Sequence, residues 1–363
     1  MAEYEGLARP VRPDWEGLVA NIRREGTPGR VHHLELFHDQ QVEDAIIERF
    51  DLEDGLNPNA PDFGRSRHLT FRRFIGLDFV RVDTVGQNWP FHNDVTNDTA
   101  ALSKGQRGFR DEHRGPIINW DEFERFPWPD PDAPEATREL EWWQENLPDD
   151  MCIATVGGSF CEYLTWLMGY ETLCFALYDD RDLVAAIADR IYDYFEAINR
   201  RYLEFDRVKL FFPSDDMGFK GGTLISPADL RQFALPGHKM TARMAHQAGC
   251  PCILHSCGKL DEIIDDLVDD CEIDGKHSFE DTIEDVRQLK RHGYGRRIAL
   301  LGGIDVDFLC RADEDAIRQR VRDTLDVCQP GGGYCLGTGN SVANYIPLDN
   351  YLAMVDEGRL YGG

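Results

Sequence analysis

The sequence predicts an α/β fold, a single (β/α)8 TIM barrel with a long insertion over the barrel mouth, from three observations. The length of 363 residues suits one barrel of this kind with insertions. Apolar residues make up 42% of the chain, which is enough to bury a large core. From about residue 150 onward, short apolar runs alternate with longer amphipathic stretches, as expected for parallel strands connected by helices.

Eight apolar runs are the candidates for the barrel strands, because they are short and are bounded by turn residues. In chain order they are His33–Phe37, Phe79–Val85, Met151–Val156, Val208–Phe212, Pro251–His255, Ile273–His277, Ile298–Gly302 and Gly332–Leu336. We expect one domain over residues 1–363, with an N-terminal extension at about 1–30. The stretch from about 86 to 150 is rich in Trp, Pro and Asp and is the expected insertion.

Two helices can be placed between these strands. An amphipathic helix is predicted by apolar residues at helical spacing. These residues are Leu260, Ile263, Ile264, Leu267 and Val268. Another helix is expected to begin with Ser226 as N-cap and Pro227 in the first turn, and Pro236 should kink or divide it.

The net charge of −27 is spread along the chain, which excludes a nucleic-acid partner, because such proteins need a basic patch to neutralise phosphates. The sequence has no run of about 18 apolar residues, and the acidic residues at its start are not the pattern expected of a secretory leader. We therefore expect a cytoplasmic protein with no membrane partner. Its ten cysteines are then expected to be free thiols or metal ligands and not disulfides.

The segment from Cys250 to Gly258 contains the strongest local signal for chemistry. His255 and Cys257 stand two residues apart at a predicted strand end, so both side chains point the same way. An imidazole and a thiolate side by side provide half of a tetrahedral zinc site. The alternative is a buried histidine that hydrogen-bonds to the backbone beside a core cysteine.

Other predicted strand ends carry further candidates, since catalytic groups of these barrels lie at the carboxyl ends of the strands. Metal-compatible groups are His277, Glu280, Cys335 and the Asp215–Asp216 pair. Adjacent carboxylates on a strand face opposite ways, so at most one of the pair points into the mouth. Candidates for binding substrate are Glu35, His38, His277 and Asn340, and candidates for catalysis are Asp215, Asp216 and Glu280.

Several motifs resemble the uroporphyrinogen decarboxylase superfamily over roughly residues 115 to 358. They are Trp166-Leu-Met-Gly-Tyr-Glu, Ser214-Asp-Asp-Met-Gly, His255-Ser-Cys-Gly, Leu301-Gly-Gly-Ile-Asp, Leu336-Gly-Thr-Gly and Ile346-Pro-Leu-Asp-Asn-Tyr-Leu-Ala-Met. The superfamily holds decarboxylases and corrinoid-linked methyltransferases. The decarboxylases have an arginine-rich N-terminal segment where this chain has His32-His-Leu-Glu-Leu-Phe-His-Asp, and a histidine at the position of Thr338.

The resemblance therefore favours the methyltransferase branch, whose zinc is held by His-x-Cys and a distant cysteine. It implies His255, Cys257 and Cys335 as ligands, although the family motif would put the third ligand at Thr338. The expected activity is zinc-dependent methyl transfer between a corrinoid and a thiol or other small nucleophile. The corrinoid would be carried by a partner protein, and the oligomeric state is open, with a homodimer as one alternative.

Two other functions remain as alternatives at this point. One is decarboxylation of a tetrapyrrole or another carboxylic acid, in which Asp215 or Asp216 would stabilise a protonated intermediate. The other is a non-catalytic protein that binds a corrinoid or tetrapyrrole. A missing third zinc ligand would favour this second alternative.

Overall fold

The computed structural model describes residues 4–82 and 89–363, which form a barrel of parallel strands surrounded by helices. The strands are β1 (His32–His33), β2 (Phe79–Val82), β3 (Asn93–Asn97), β4 (Gln106–Arg110), β5 (Cys152–Thr155), β6 (Val208–Phe211), β7 (Gly218–Phe219), β8 (Gly222–Thr223), β9 (Ile253–His255), β10 (Gly275–His277), β11 (Ala299–Leu301) and β12 (Tyr334–Leu336). The helices are α1 (Trp15–Ile22), α2 (Gln40–Arg49), α3 (Phe63–Ile75), α4 (Trp120–Arg125), α5 (Arg138–Asn146), α6 (Cys161–Met168), α7 (Tyr170–Asp179), α8 (Arg181–Tyr202), α9 (Pro227–Phe233), α10 (Leu235–Gln247), α11 (Val286–His292), α12 (Val306–Arg311), α13 (Glu314–Cys328) and α14 (Leu348–Tyr361).

Eight parallel strands close the barrel. Five pair in the order β1-β12-β11-β10-β9 and three in the order β2-β5-β6. Parallel bridges between His33 and Leu77, and between Phe211 and Cys252, join the two groups at both seams. This closure confirms the predicted TIM barrel, and each of the eight predicted strands overlaps an observed one. Residues 83–85 of the second predicted strand lie outside the described residues.

The observed strands are shorter than the predicted runs. Strands β1 and β6 end earlier than predicted at the barrel mouth, whereas β9, β10 and β12 begin two residues later and end at the predicted residue. The predicted division at Pro236 is confirmed, since α9 ends at Phe233 and α10 begins at Leu235. The predicted cap is also confirmed, because the Ser226 hydroxyl accepts a hydrogen bond from the Asp229 backbone N–H.

The predicted amphipathic helix from Leu260 to Val268 is not a regular α-helix. The sequence separation between backbone donor and acceptor increases along the segment. The Ile263 N–H bonds to the carbonyl three residues earlier, at Leu260, the Leu267 N–H to the carbonyl four residues earlier, at Ile263, and the Cys271 N–H to the carbonyl five residues earlier, at Asp266. The last of these belongs to a π-helical turn over Asp266–Asp270. Four of the five apolar residues are buried and Ile264 is partly buried against the same core, so the prediction gave the packing face correctly and the helix type wrongly.

The amino-terminal end of the barrel is closed by α1. Leu18 and Ile22 of this helix belong to the interior cluster together with Leu34, Phe79 and other strand residues. The side chain of Asn21 donates a hydrogen bond to the Tyr334 carbonyl at 2.7 Å. The predicted N-terminal extension therefore contains a helix that fills the bottom of the barrel.

The residues between β2 and β5 form the β3–β4 hairpin and the helices α4 and α5. The hairpin contacts the mouth through Arg107, which pairs with Asp39 after β1 and donates to Asn344 after β12. The hairpin of the predicted insertion thus lies at the carboxyl ends of the strands. Helix α5 lies toward the amino-terminal end, because its Gln144 side chain accepts the Arg207 N–H just before β6. Among residues 4–82 and 89–363, no helix has the length and apolar character that crossing a membrane requires.

Candidate metal centre and active site

The carboxyl end of β9 brings His255 and Cys257 together. His255 is the last residue of the strand and is 3% exposed, and Cys257 lies two residues later at the mouth. The His255 Nε2 atom is 3.5 Å from the Cys257 Sγ atom. The predicted same-side arrangement of this pair is therefore present in the fold.

Asp216 joins this pair from the neighbouring strand. The chain after β6 stays alongside β9, because the His255 N–H donates to the Pro213 carbonyl and the Asp215 N–H donates to the His255 carbonyl. The Asp216 Oδ1 atom consequently lies 3.4 Å from His255 Nε2 and accepts the Cys257 N–H at 2.8 Å. Gly258 allows this approach, since a Cβ atom there would lie 2.2 Å from the Gly218 backbone.

The three side chains suit a zinc ion. One ligand atom from each of Asp216, His255 and Cys257 lies within 4.8 Å of the other two, and no other such group occurs in residues 4–82 and 89–363. In a tetrahedral site with usual bond lengths, nitrogen and sulfur ligands are about 3.5 Å apart and nitrogen and oxygen ligands about 3.4 Å apart. The two measured separations from His255 Nε2 match these values.

A second histidine lies directly behind this cluster. His277 ends β10 and is paired in register with His255 on β9. The two Nδ1 atoms share a hydrogen bond of 2.7 Å, and His277 is fully buried. Burial lowers the pKa of His277 well below its usual range, and the neighbouring His255 lowers it further.

Two acids at the mouth have pKa values that are shifted in opposite directions. Burial alone would raise the pKa of Asp216, but hydrogen bonds with His255 and Cys257 lower it to about 2. Burial, followed by the charges of Asp216 and Asp215, raises the pKa of Glu162 well above its usual range. Such a divergent pair is typical of functional sites.

Glu162 was missed by the sequence analysis. It lies in the first turn of α6, and its carboxylate accepts a hydrogen bond from the Ser159 hydroxyl at 3.0 Å. The available signal was its position, because it is the first acidic residue after the predicted strand Met151–Val156. Asp216 was selected because it is an acidic residue that follows a predicted barrel strand, and Glu162 meets the same criterion.

Asp215 faces away from Asp216, as expected for adjacent residues in extended chain. Its carboxylate is 0% exposed and is surrounded by hydrogen-bond donors. These are the Cys161 N–H at 3.0 Å, the Glu162 N–H at 2.8 Å, His238 Nε2 at 2.7 Å and the Ser159 hydroxyl at 3.4 Å. Asp215 therefore holds the start of α6 in place and does not face the mouth, contrary to its selection as a catalytic candidate.

Cys335, the expected third ligand, is not part of the cluster. Its side chain is fully buried in the barrel interior, and the Asn21 amide of α1 donates to its sulfur at 3.4 Å. Cys335 on β12 is paired in register with Leu301 on β11. Because the strands of such barrels are tilted by about 36° to the barrel axis, residues paired across neighbouring strands lie at different positions along that axis. The tilt places Cys335 near the amino-terminal end.

Glu280 and Asn340 lie at the rim of the mouth. Both line a cavity of about 670 Å³, together with Phe308 and Tyr345. The Asn340 amide donates to the Cys257 sulfur at 3.2 Å, so the cavity adjoins the candidate metal centre. Glu280 is exposed and is outside the three-residue cluster, so it is not placed as a metal ligand.

Glu35 and His38 lie beside the mouth and not in it. Glu35 accepts hydrogen bonds from the backbone and hydroxyl of Thr338, and burial raises its pKa to about 8. His38 shares a hydrogen bond of 2.7 Å with the Tyr351 hydroxyl of α14, and burial lowers its pKa. These contacts brace the ends of β1 and β12 and leave neither side chain directed at Cys257.

Comparison with known proteins identifies the family of this barrel. The family described as uroporphyrinogen decarboxylase (URO-D) matches residues 112–361, which is more than half of the chain. The chain belongs to the URO-D family. The predicted resemblance over roughly residues 115 to 358 is thereby confirmed.

One curated relative of this URO-D family member is a methyltransferase by name, and one solved structure with a similar fold carries the same word in its description. A methylated-thiol–coenzyme M methyltransferase from Methanosarcina mazei is 31% identical over 137 residues, which are 37% of this chain and 33% of that protein. The matched part is thus about a third of the curated relative. A solved methyltransferase structure from Methanosarcina mazei aligns with a TM-score of 0.66 at 18% identity, covering 96% of this chain and 98% of that one, and supports the fold.

Proposed function

We propose that this URO-D family protein is a zinc-dependent methyltransferase that moves a methyl group between a corrinoid and a thiol or other small nucleophile. The observation that carries the proposal is the cluster of Asp216, His255 and Cys257 at the barrel mouth. One sulfur, one nitrogen and one oxygen ligand leave a fourth position for a reactant, as in catalytic zinc sites. The methyltransferase name of the curated relative agrees with this chemistry.

A zinc ion held there would supply Lewis acidity, which lowers the pKa of a bound thiol so that it reacts as a thiolate. The chain itself would orient the reactants. Asn340 lies between Cys257 and the adjoining cavity, so its amide is placed to contact a small reactant as well as the ligand sulfur. Glu162, whose pKa is raised, would hold a proton beside Asp216.

The methyl donor or acceptor is proposed to be a corrinoid carried by a partner protein. The cavity of about 670 Å³ next to Asn340 is open at the mouth and has the size of a small-molecule site. It is lined by the aromatic residues Phe279, Phe308 and Tyr345 as well as by acidic side chains. A small nucleophile fits inside, while a protein-bound corrinoid would approach from outside.

The metal content of the purified protein tests the first half of the proposal. We expect about one zinc per chain in the wild type and little zinc in Cys257→Ala, because loss of a thiolate removes most of the affinity of such a site. Cys335→Ala is the matched control, since it removes a buried cysteine that is outside the cluster and contacts Asn21 of α1. Wild-type protein without zinc, when produced with ample metal, would refute the proposal.

An activity assay tests the second half. Methyl transfer from methylcobalamin to a panel of small thiols should occur with the wild type and fail with Cys257→Ala, while Cys335→Ala remains active. In a separate assay, uroporphyrinogen is offered as the substrate of the alternative decarboxylase activity. Its decarboxylation by the wild type, without methyl transfer, would place the protein with the decarboxylases and contradict the proposal.

A further inference from the structure

The imidazole rings of His255 and His277 form a buried pair at the back of the candidate metal centre. They sit opposite each other in the parallel pairing of β9 and β10, and their Nδ1 atoms are 2.7 Å apart. The rings are tilted by 36° with centroids 5.0 Å apart, so the contact is edge to edge through nitrogen. His255 and His277 are 3% and 0% exposed, so water does not replace this contact.

The pair restricts where each ring carries its proton. The nitrogen of His255 that faces Asp216 and Cys257 is Nε2, so this atom must present a lone pair to a metal. The proton of a neutral His255 is then on Nδ1, which faces His277 Nδ1. For this hydrogen bond to form, His277 must accept at Nδ1 and carry its own proton on Nε2.

The surroundings of His277 Nε2 agree with that arrangement. The His277 ring lies beside Gly302. A Cβ atom added at Gly302 would be 3.1 Å from His277 Nε2 and 3.0 Å from the adjacent Cδ2 atom. The same Cβ atom would lie 2.2 Å from the Thr338 carbonyl oxygen, so the carbonyl and the ring meet at Gly302. An Nε2–H group therefore faces a backbone acceptor, although the contact does not reach full hydrogen-bond geometry in this structure.

We propose that His277 is a positioning residue that accepts the Nδ1–H of His255 and thereby fixes the ring orientation and the tautomer in which His255 binds the metal. This inference rests on the proposed function, because it assigns a role toward the same ion. Metal-binding histidines usually donate their second N–H group to a carboxylate, carbonyl or water. In this chain a neutral imidazole from the neighbouring strand takes that place.

The alternative is that His277 only fills space in the barrel. Its ring contacts Phe212 of the interior cluster at 6.1 Å between centroids, so removal would also disturb packing. The test therefore uses two substitutions of His277. Leu fills the space without an acceptor, while the Asn side-chain oxygen can occupy nearly the same place as Nδ1 and accept the hydrogen bond.

The first measurement is zinc affinity, by competition with a chelator of known affinity. We expect His277→Leu to bind zinc about 10- to 100-fold more weakly than the wild type, which is the usual effect of losing such a partner. His277→Asn should recover most of that loss. His33→Leu is the control, because His33 is also a buried histidine but its ring lies against Gly358 and Leu336.

The second measurement is nitrogen NMR of zinc-loaded protein with labelled histidine, which reports the tautomer directly. We expect His255 to be protonated at Nδ1 and His277 at Nε2 in the wild type. Equal zinc affinity of the wild type and His277→Leu, or a wild-type His277 protonated at Nδ1, would overturn the inference while leaving the proposed function intact. A wild type that binds no zinc would overturn both.

Discussion

Asp215 and Asp216 are adjacent in the sequence, and the structure assigns them opposite roles that substitution can separate. We compare Asp215→Ala with Asp216→Ala. The first removes a fully buried carboxylate that accepts hydrogen bonds from the start of α6 and from His238. The second removes a carboxylate whose side chain is 37% exposed and which faces the candidate metal ligands.

The expected loss of stability follows from the donors that are left behind. Removing one partner of a buried, charged hydrogen-bond network costs about 3 to 5 kcal/mol, because the remaining donors have no water to bond. An unfolding entropy of about 2.1 cal/mol/K per residue amounts to about 0.76 kcal/mol/K for 363 residues. Asp215→Ala should therefore lower the Tm by about 4 to 7 °C. Asp216→Ala loses the hydrogen bond from the Cys257 N–H and the interaction with His255, both at a partly exposed carboxylate, and should shift the Tm of the zinc-free protein by less than about 3 °C.

The assay is thermal unfolding of zinc-free protein by calorimetry, followed by zinc titration of each variant at a temperature where it is folded. Asp215→Ala should be the less stable variant and keep zinc, and Asp216→Ala should be nearly as stable as the wild type and bind zinc weakly. The reasoning is refuted if Asp215→Ala loses zinc without losing stability. Equal shifts of the Tm in both variants would also contradict it.

Two further predictions concern residues near the ends of the barrel. Cys335→Ala should keep its zinc but lose stability on the order of 1 kcal/mol, because it leaves a small cavity beside Asn21. Calorimetry measures the stability and elemental analysis the zinc content. Loss of zinc in this variant would show that Cys335 is a metal ligand. Glu35 has a folded pKa of about 8 against an ordinary value of 4.5, so between these pH values the folded protein keeps a proton that the unfolded chain has lost. This contribution to stability is complete below pH 4.5 and is lost as the pH rises to 8, by up to about 1.4 kcal/mol per pH unit. Denaturant unfolding at several pH values should show this slope in the wild type and not in Glu35→Gln, and parallel pH profiles would contradict the assignment.

The barrel and the His-x-Cys pair could be predicted because both depend on local pattern. Each barrel strand is a short apolar run, and the alternation of strands and helices specifies the parallel connection. His255 and Cys257 are two residues apart, so a single extended segment is enough to place them on one side. Nothing about distant parts of the chain was needed for either prediction.

The third member of the cluster could not be chosen in this way. Asp216 reaches His255 only because the chain after β6 continues to pair with β9 beyond the end of the strand. Cys335 has the better ligand chemistry, but its height in the barrel depends on strand tilt and register, which the sequence does not display. Residue type alone therefore favoured the thiol, and the geometry favours the carboxylate.

The closed bottom of the barrel has a consequence for the order of events at the mouth. Among the described residues, α1 packs against the strand ends through Leu18 and Ile22 and side chains fill the barrel interior, so Cys257 is reached from the mouth. Every reactant that reaches Cys257 has to enter, and every product has to depart, by that one route. Under the proposed function the small nucleophile must therefore be in place before a corrinoid-carrying protein docks over the opening, and the carrier must withdraw before the methylated product can escape.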